Sequence, residues 1–543
     1  MASYPHILGW PRADSPGNEC DVQSPDTHSA GEKISPGLRR FLYLTAAVNG
    51  ASVLIVEILG AKLLAPYIGT SHFVWTAQIT VTLFALAAGY YLGGRMVDRS
   101  RDLNRLFLAM MVAAIYLALT LYVTESVTYW CLNQGIKMGS ILASAFLFFV
   151  PLTLLAITGP FLIRVLAHSI EGVGGQAGRL SAISTLGSVA GAALIGYVLI
   201  PLLPNSMTLL ATSGVIAALS LVYMILFARR RSALGAIAIA TLAAGYMGFQ
   251  GVKSDLRTDY RRGVEVFRKN SNFGLLQVIQ IKDTSEFFYC NDNLTQNIYF
   301  KDTQQSGAMF TYMLHGLAHA YATNLQSALC IGLGIGIVPA QLAKEGVKVE
   351  AVEINDAAPE VAEKFFDLKL DGIQLHIEDG RSFLNRTHNR YDVVVLDAFL
   401  GDSSPSHLMT FEAFRAMKRV LNPGGVIVMN CFGYLDSAKD YFIASLERTL
   451  EKNFRSVRIH NSGRGNVFMV ASDRPEFEMV PLGSLDDVHP TVLPDVRRTL
   501  STVVSTPPAH GRVLTDDYNP VEYYDASNRE EFRHNMAIGM QRR

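Results

Sequence analysis

Charge is scarce in this chain. Asp, Glu, Lys and Arg make up 17% of its 543 residues, against 50% hydrophobic. A typical soluble domain carries about 25% charged residues, so the deficit argues against an all-soluble protein. Neither sign dominates: 47 basic and 47 acidic residues cancel, and without a global positive field nucleic acid is not an expected partner. Cysteine is sparse as well. Its five positions, Cys20, Cys131, Cys290, Cys330 and Cys431, follow no ligand spacing. That excludes a disulfide framework, leaves buried thiols, and gives no reason to expect a metal. The first forty residues lack the basic start and apolar core of a secretion signal. Rich in Pro, Ser, Gly and Asp, residues 1–40 read as a disordered polar tail.

What the chain does have, over residues 41–250, is long apolar runs. They approach or exceed the ~20 residues that cross a bilayer. Spans are expected near 41–65, 73–93, 105–124, 139–163, 180–200, 206–228 and 232–250. Arg95, Arg99, Arg101 and Arg105 follow the second, Arg164 and Arg179 flank the loop after the fourth, and Arg229, Arg230 and Arg231 follow the sixth. The positive-inside rule puts these loops and the tail in the cytoplasm. Seven crossings would then carry the C-terminal half outside, yet Lys253, Arg257, Arg261 and Arg262 follow the last span and signal inside. The expectation is a multi-pass protein of the inner (plasma) membrane with a cytoplasmic C-terminal half. One segment would then be re-entrant or split: the first, or the 139–168 stretch broken by Pro151 and Pro160. The GxxxG pairs Gly89/Gly93 and Gly187/Gly191 allow close helix approach, within the bundle or in a homodimer. Glu57 lies mid-span, where a carboxylate needs a partner or a wet cavity; Lys62 is the candidate partner.

From about residue 260 the pattern turns to short strands. FGLLQVIQI and EFFYCND read as a small β subdomain that, with a linking helix, fills 260–325. From 326 to 543 strands alternate with helices: SALCIGL, KVEAVEI, IQLHIED, YDVVVLDAF and GGVIVMN, then SVRIHNS and NVFMVAS as an antiparallel edge. Repeated βα units imply an α/β, doubly wound, mostly parallel sheet. Ligands of such sheets bind beyond the strand C-termini. Gly332, Gly334 and Gly336 form a turn that lets a ligand approach the backbone. Glu353 ends the second strand, where a carboxylate accepts from both ribose hydroxyls. Asp379, followed by Gly380, ends the third and is placed to accept from an adenine amino group. Asp397 ends the fourth, beside the place where the reacting end of such a nucleoside ligand would lie. The turn lacks the GxxxxGK[ST] phosphate cradle, which argues against a nucleotide triphosphatase.

At these residues the chain resembles the spermidine synthase family, within the class I fold of adenosylmethionine-dependent methyltransferases, and in particular its membrane-fused branch. The patterns are Glu57, APYIGTSHFVW and GYYLGGRMVDR on the N-terminal side, and VEIN, DAFLGDSSPSHLMT and LTDDYNPVEYY on the C-terminal side. The resemblance implies an aminopropyltransferase-like enzyme using S-adenosylmethionine or its decarboxylated form. It implies Gln277 as a glutamine reaching the nucleoside. Asp292 and Gln296 would be the acid and amide of a substrate-binding LDGxxQ turn, with Asn293 in place of glycine. Asp397 would be the first acid of a DxxD motif. Departures are plain: Leu400 stands at the second acid and Asp402 lies two residues later. Thr311 and Tyr312 replace a His-Glu pair, and Ile335 replaces the acid of GGGDG.

Three readings follow. In the first, an alkyl (aminopropyl) group passes from the sulfonium donor to a small-molecule amine, with Asp397 and Asp402 as catalytic carboxylates, Asp516 and Asp517 in reserve, and His407 as a helper or a structural residue. In the second, a methyl group passes to a membrane-associated acceptor such as a lipid, quinone or peptide. In the third, the bundle is a transporter with a regulatory nucleoside-binding domain.

Overall fold

The computed structural model describes residues 34–69, 71–167, 173–228, 234–260, 262–271, 273–399, 405–436, 439–504, 511–524, 526 and 529. Among the described residues, seven helices are long and apolar enough to cross a membrane: α1 (Pro36–Ile68), α2 (His72–Arg99), α3 (Leu103–Leu132), α4 (Ile136–Leu166), α5 (Val173–Leu202), α6 (Asn205–Leu226) and α7 (Leu234–Asp255). They match the seven expected apolar runs. Residues 36–68 and 136–166 are each one long helix. The latter bends through a π-helical turn at Ala145–Phe149, just before Pro151, where an extra residue in the turn distorts the helix.

The glycine pairs are used inside the bundle. A Cβ at Gly187 would collide with the Ala47 carbonyl, and one at Gly191 would lie 2.7 Å from the Ala51 backbone, so α5 presses directly on α1. Gly89 and Gly93 do the same for α2 against Thr153 and Ile157 of α4. Helix geometry does not favour the Glu57–Lys62 pair expected from the sequence. Five residues at 3.6 per turn put the two side chains about 140° apart on the helix, and Lys62 lines a cavity at the end of the bundle.

The α/β half begins with an antiparallel meander, β1 (Gly263–Ser271), β2 (Gly274–Ile281), β3 (Glu286–Asn291), β4 (Leu294–Phe300) and β5 (Gln305–Ser306), in sequential order. Helix α8 (Met309–Tyr321) leads into the main sheet. Its elements are β6 (Ser327–Ile331), α9 (Ile337–Lys344), β7 (Lys348–Glu353), α10 (Ala357–Phe365), β8 (Ile373–Ile377), α11 (Gly380–Arg386), β9 (Tyr391–Leu396), α12 (Phe411–Arg419), β10 (Leu421–Phe432), α13 (Tyr441–Glu451), β11 (Ser456–Asn461), β12 (Asn466–Ser472), α14 (Leu493–Ser501) and β13 (Val503–Val504). The strand order is β13-β11-β12-β10-β9-β6-β7-β8, with β12 antiparallel to both neighbours. Strand side chains alternate between two cores. Cys330, Val393 and Val395 face the α8–α9–α14 side, while Leu329, Ile331, Val394 and Leu396 face α11–α13. With both faces covered, the strands read as near-continuous apolar runs.

Two patterns from opposite ends of the sequence meet where the halves join. His72, in SHFVW, places Nδ1 2.6 Å from Glu522 Oε2 in α15 (Val521–Tyr524), and Lys137 at the start of α4 sits 3.8 Å over the Tyr523 ring. Burial raises the Glu522 carboxyl, but hydrogen bonds from the His72 ring and backbone N–H outweigh it and hold the group below its usual range. On another side, Asn270 at the β1–β2 hairpin donates to the Leu203 carbonyl after α5.

Candidate transfer site

The site lies where strand order reverses. Chain leaving β6 turns toward β7 on one side while β9 enters on the other, which opens a crevice at the strand tips. Gly332 follows β6 at φ 96°, and a Cβ there would collide with the Asp397 carbonyl. Only glycine lets these two strand ends approach so closely. Gly334, at φ 54°, faces open space; Gly336, at φ 78°, begins α9 and packs on Leu368. These glycines, with Glu353, Asp379, Gly380, Asp397 and Gln296, line one cavity of about 150 Å³. Its walls also carry Tyr289, Phe310, His407 and Phe432.

Glu353 is fixed by the backbone on both sides. One carboxylate oxygen accepts from Leu333 N–H at 2.9 Å in the glycine turn, the other from Asn355 N–H at 2.8 Å. The Gly334 and Ile354 N–H groups also act on this carboxylate, which makes the strand tip a strongly polarised acceptor. Burial raises its pKa, with the backbone N–H bonds opposing. Asp379 caps α11 through Ser382 N–H at 2.8 Å, and its other oxygen lies 2.9 Å from His407 Nε2. Asp397 is at the floor. Burial lifts its carboxyl from 3.8 to about 6, while an Asn430 amide donating at 3.0 Å pulls the other way. Asn430 is itself held by Asn466, 3.1 Å away. Cys330, near Asp397, is pushed up to about 12 by burial and by the carboxylate, so it offers no nucleophile.

The other expected residues are elsewhere. The Gln277 amide donates to Glu265 Oε2 at 2.7 Å, in a buried cluster with Arg268, and does not line the cavity. Asp292 accepts from Leu275 N–H at 2.9 Å in the tight β3–β4 turn. Asp292 and Asn293 have φ values of 47° and 60°, the left-handed conformation that Asn tolerates in place of glycine. Asp292 faces a second, larger cavity of about 1030 Å³ between this subdomain and the ends of the bundle. Asp402 and Leu400 lie outside the described residues. Asp516 is bound by Arg381 at 2.9 Å and Thr410 at 2.6 Å. His407 serves Asp379, where the sequence suggested an acceptor helper or a structural residue. Sequence reasoning missed Asn355 and Asn430. Each is a polar residue at the end of an apolar strand, the same signal that exposed the acids.

The glycine turn after β6, flanked by Asp397 after β9 on one side and by Glu353 and Asp379 at β7 and β8 on the other, makes a pocket at the tips of four neighbouring strands of a doubly wound α/β sheet. Residues 308–461 match the family described as "Spermine/spermidine synthase domain". A probable polyamine aminopropyl transferase of Bifidobacterium longum is 32% identical over 157 residues, 28% of this chain and 34% of that protein. An N-terminal histidine N-methyltransferase of Emericella nidulans is 32% identical over 167 residues, 30% of this chain and 29% of that one. The polyamine aminopropyltransferase of Vibrio vulnificus is 33% identical over 144 residues, 25% of this chain and 48% of that one. The chain thus spans less than half the length of these relatives. Among solved structures, a probable spermidine synthase from Corynebacterium glutamicum aligns with TM-score 0.38 at 17% identity, covering 46% of this chain and 96% of that one.

Proposed function

We propose that the chain is a membrane-bound transferase that moves an aminopropyl group from decarboxylated S-adenosylmethionine to an amine, with its α/β half in the cytoplasm. The observation that carries this reading is Asp397, a carboxylate lifted to about 6 by burial in the cavity that Glu353, Asp379 and the glycine turn share. The residues fit such a donor. The Glu353 carboxylate lines the cavity, where a diol can donate to it, and the backbone at Gly334 is open to a close approach. When bound, the donor supplies a sulfonium whose carbon is already activated, with a neutral thioether leaving. The protein's part is then to position and to manage a proton. Above pH 6 Asp397 is ionised, binds a cationic amine and accepts its proton, freeing the lone pair. Asp402 is the proposed second carboxylate of this step; Gln277 and Asp292 act behind the cavity wall rather than in it.

A second reading has its own observation. The α8 positions that resemblance assigns to a His-Glu pair are Thr311, whose hydroxyl donates to the Ala308 carbonyl at 2.9 Å, and Tyr312, whose hydroxyl donates to the Ser306 carbonyl at 2.8 Å. Neither offers a carboxylate to a diamine. The larger cavity at the bundle ends neighbours the strand-tip cavity, with Gly274 and Asp292 lining the one and Phe273 and Asn291 the other, which favours a membrane-associated acceptor and methyl transfer. Purified protein in lipid, supplied with either donor and an amine, distinguishes the readings. Methylthioadenosine supports aminopropyl transfer and adenosylhomocysteine supports methyl transfer. Neither product, together with solute flux across liposomes that depends on Glu57, supports a transporter.

A further inference from the structure

Away from the transfer site, among the described residues, three donors of metal-ligand type converge. His315 and His319 are four residues apart on α8, so both imidazoles leave one helix face. Glu345, just past α9, turns its carboxylate to both: His315 Nε2 is 2.8 Å from one oxygen and His319 Nε2 is 2.7 Å from the other. All donor atoms lie within 4.8 Å of one another, and the two rings stand edge to face with centroids 4.7 Å apart. The carboxylate is held in place by its own backbone, whose N–H donates to the Gln341 and Leu342 carbonyls. Asp487 lies near enough to His315 to add negative potential. The side chains are 22%, 36% and 40% exposed, so an ion can enter without any opening of the fold.

We propose that His315, His319 and Glu345 form a binding site for a divalent transition metal, zinc above all, with water completing the coordination. Two imidazole nitrogens and one carboxylate oxygen are the donor set of open three-ligand zinc sites, with bonds of about 2.0–2.2 Å. The present spacing needs only a small side-chain movement to close on an ion. Two histidines at i and i+4 supply two of the ligands from one rigid element. The ion ties α8 to α9. That matters because the first turn of α8, with Phe310 and Thr311, walls the transfer cavity, so occupancy sets how firmly that wall is held. The sequence offered no metal pattern among its cysteines, and the histidine pair is masked there by an apolar helix.

The test uses the full chain in lipid, stripped with a chelator and titrated with zinc alone. Calorimetry should find one ion per chain, and the melting temperature should rise by about 5 °C at a hundredfold excess over Kd. His319→Ala should weaken binding at least tenfold. Glu345→Gln keeps an oxygen for the imidazoles but loses the charge, and should weaken binding similarly without lowering the metal-free melting temperature. Failure of the wild type to bind zinc, or unchanged stoichiometry and affinity in a His315→Ala/His319→Ala double variant, would overturn the proposal.

Discussion

Replacing Glu353 by Ala tests the nucleoside site where its geometry is best defined. Both carboxylate oxygens are already anchored, at 2.9 Å to Leu333 N–H and 2.8 Å to Asn355 N–H. In the proposed complex the same carboxylate takes a ribose diol from the cavity side. Each hydrogen bond to a charged acceptor is worth about 1.5–3 kcal/mol, so losing two would cost about 3–6 kcal/mol if they were additive. Freeing Leu333 N–H also loosens the glycine turn, which adds to the loss. At 1.4 kcal/mol per decade, affinity should fall by about two to four orders of magnitude. Isothermal calorimetry with S-adenosylmethionine, its decarboxylated form and methylthioadenosine measures this directly. All three should weaken together, because they share the sugar. An unchanged Kd in a folded Glu353→Ala protein would refute the assignment of the strand tip to ribose.

Asp397 gives a prediction with opposite effects on stability and function. A carboxyl raised from 3.8 to about 6 contributes most to folding below pH 4, where both states are protonated. That contribution is lost as pH rises to about 6, a loss of roughly 3 kcal/mol if the whole shift applies. Asp397→Asn should therefore raise the melting temperature at pH 8 while abolishing transfer, and wild-type kcat/KM should climb as pH passes 6. Gly332→Ala and Gly334→Ala should differ sharply. The first collides with the Asp397 carbonyl and should destabilise the domain by several kcal/mol. The second meets open space at a positive φ, so circular dichroism should show a near-normal fold while nucleoside affinity drops. Glu522, whose carboxyl is held below its usual range, supports the junction with α2 above that range and loses it as pH falls through it. Because His72 is about half exposed, Glu522→Gln should cost only about 1 kcal/mol, visible as faster hydrogen exchange at α15 and the start of α2.

Much of this was legible in the sequence because the signals were local. The apolar runs near 41–65 and 139–163 are single long helices, and the acids ending apolar strands (Glu353, Asp379, Asp397) line one cavity at the tips of β7, β8 and β9. Contacts that depend on tertiary approach were not legible. Lys62 is close to Glu57 in sequence yet on another side of α1. The Gly187/Gly191 pair could have served a dimer until α1 was seen against it. Gln277 follows a family pattern, but its amide is taken by Glu265, a residue whose burial with Arg268 depends on a strand pairing that no local pattern reveals. His407 could be assigned only once the loop after β9 was seen to return to Asp379.

The most direct measurement is an experimental structure of the protein in lipid with methylthioadenosine. It should place the ribose on Glu353, the adenine amino group at Asp379 and the thioether beside Asp397. A nucleoside bound in the large cavity below the bundle, with the strand-tip cavity vacant, would contradict the account.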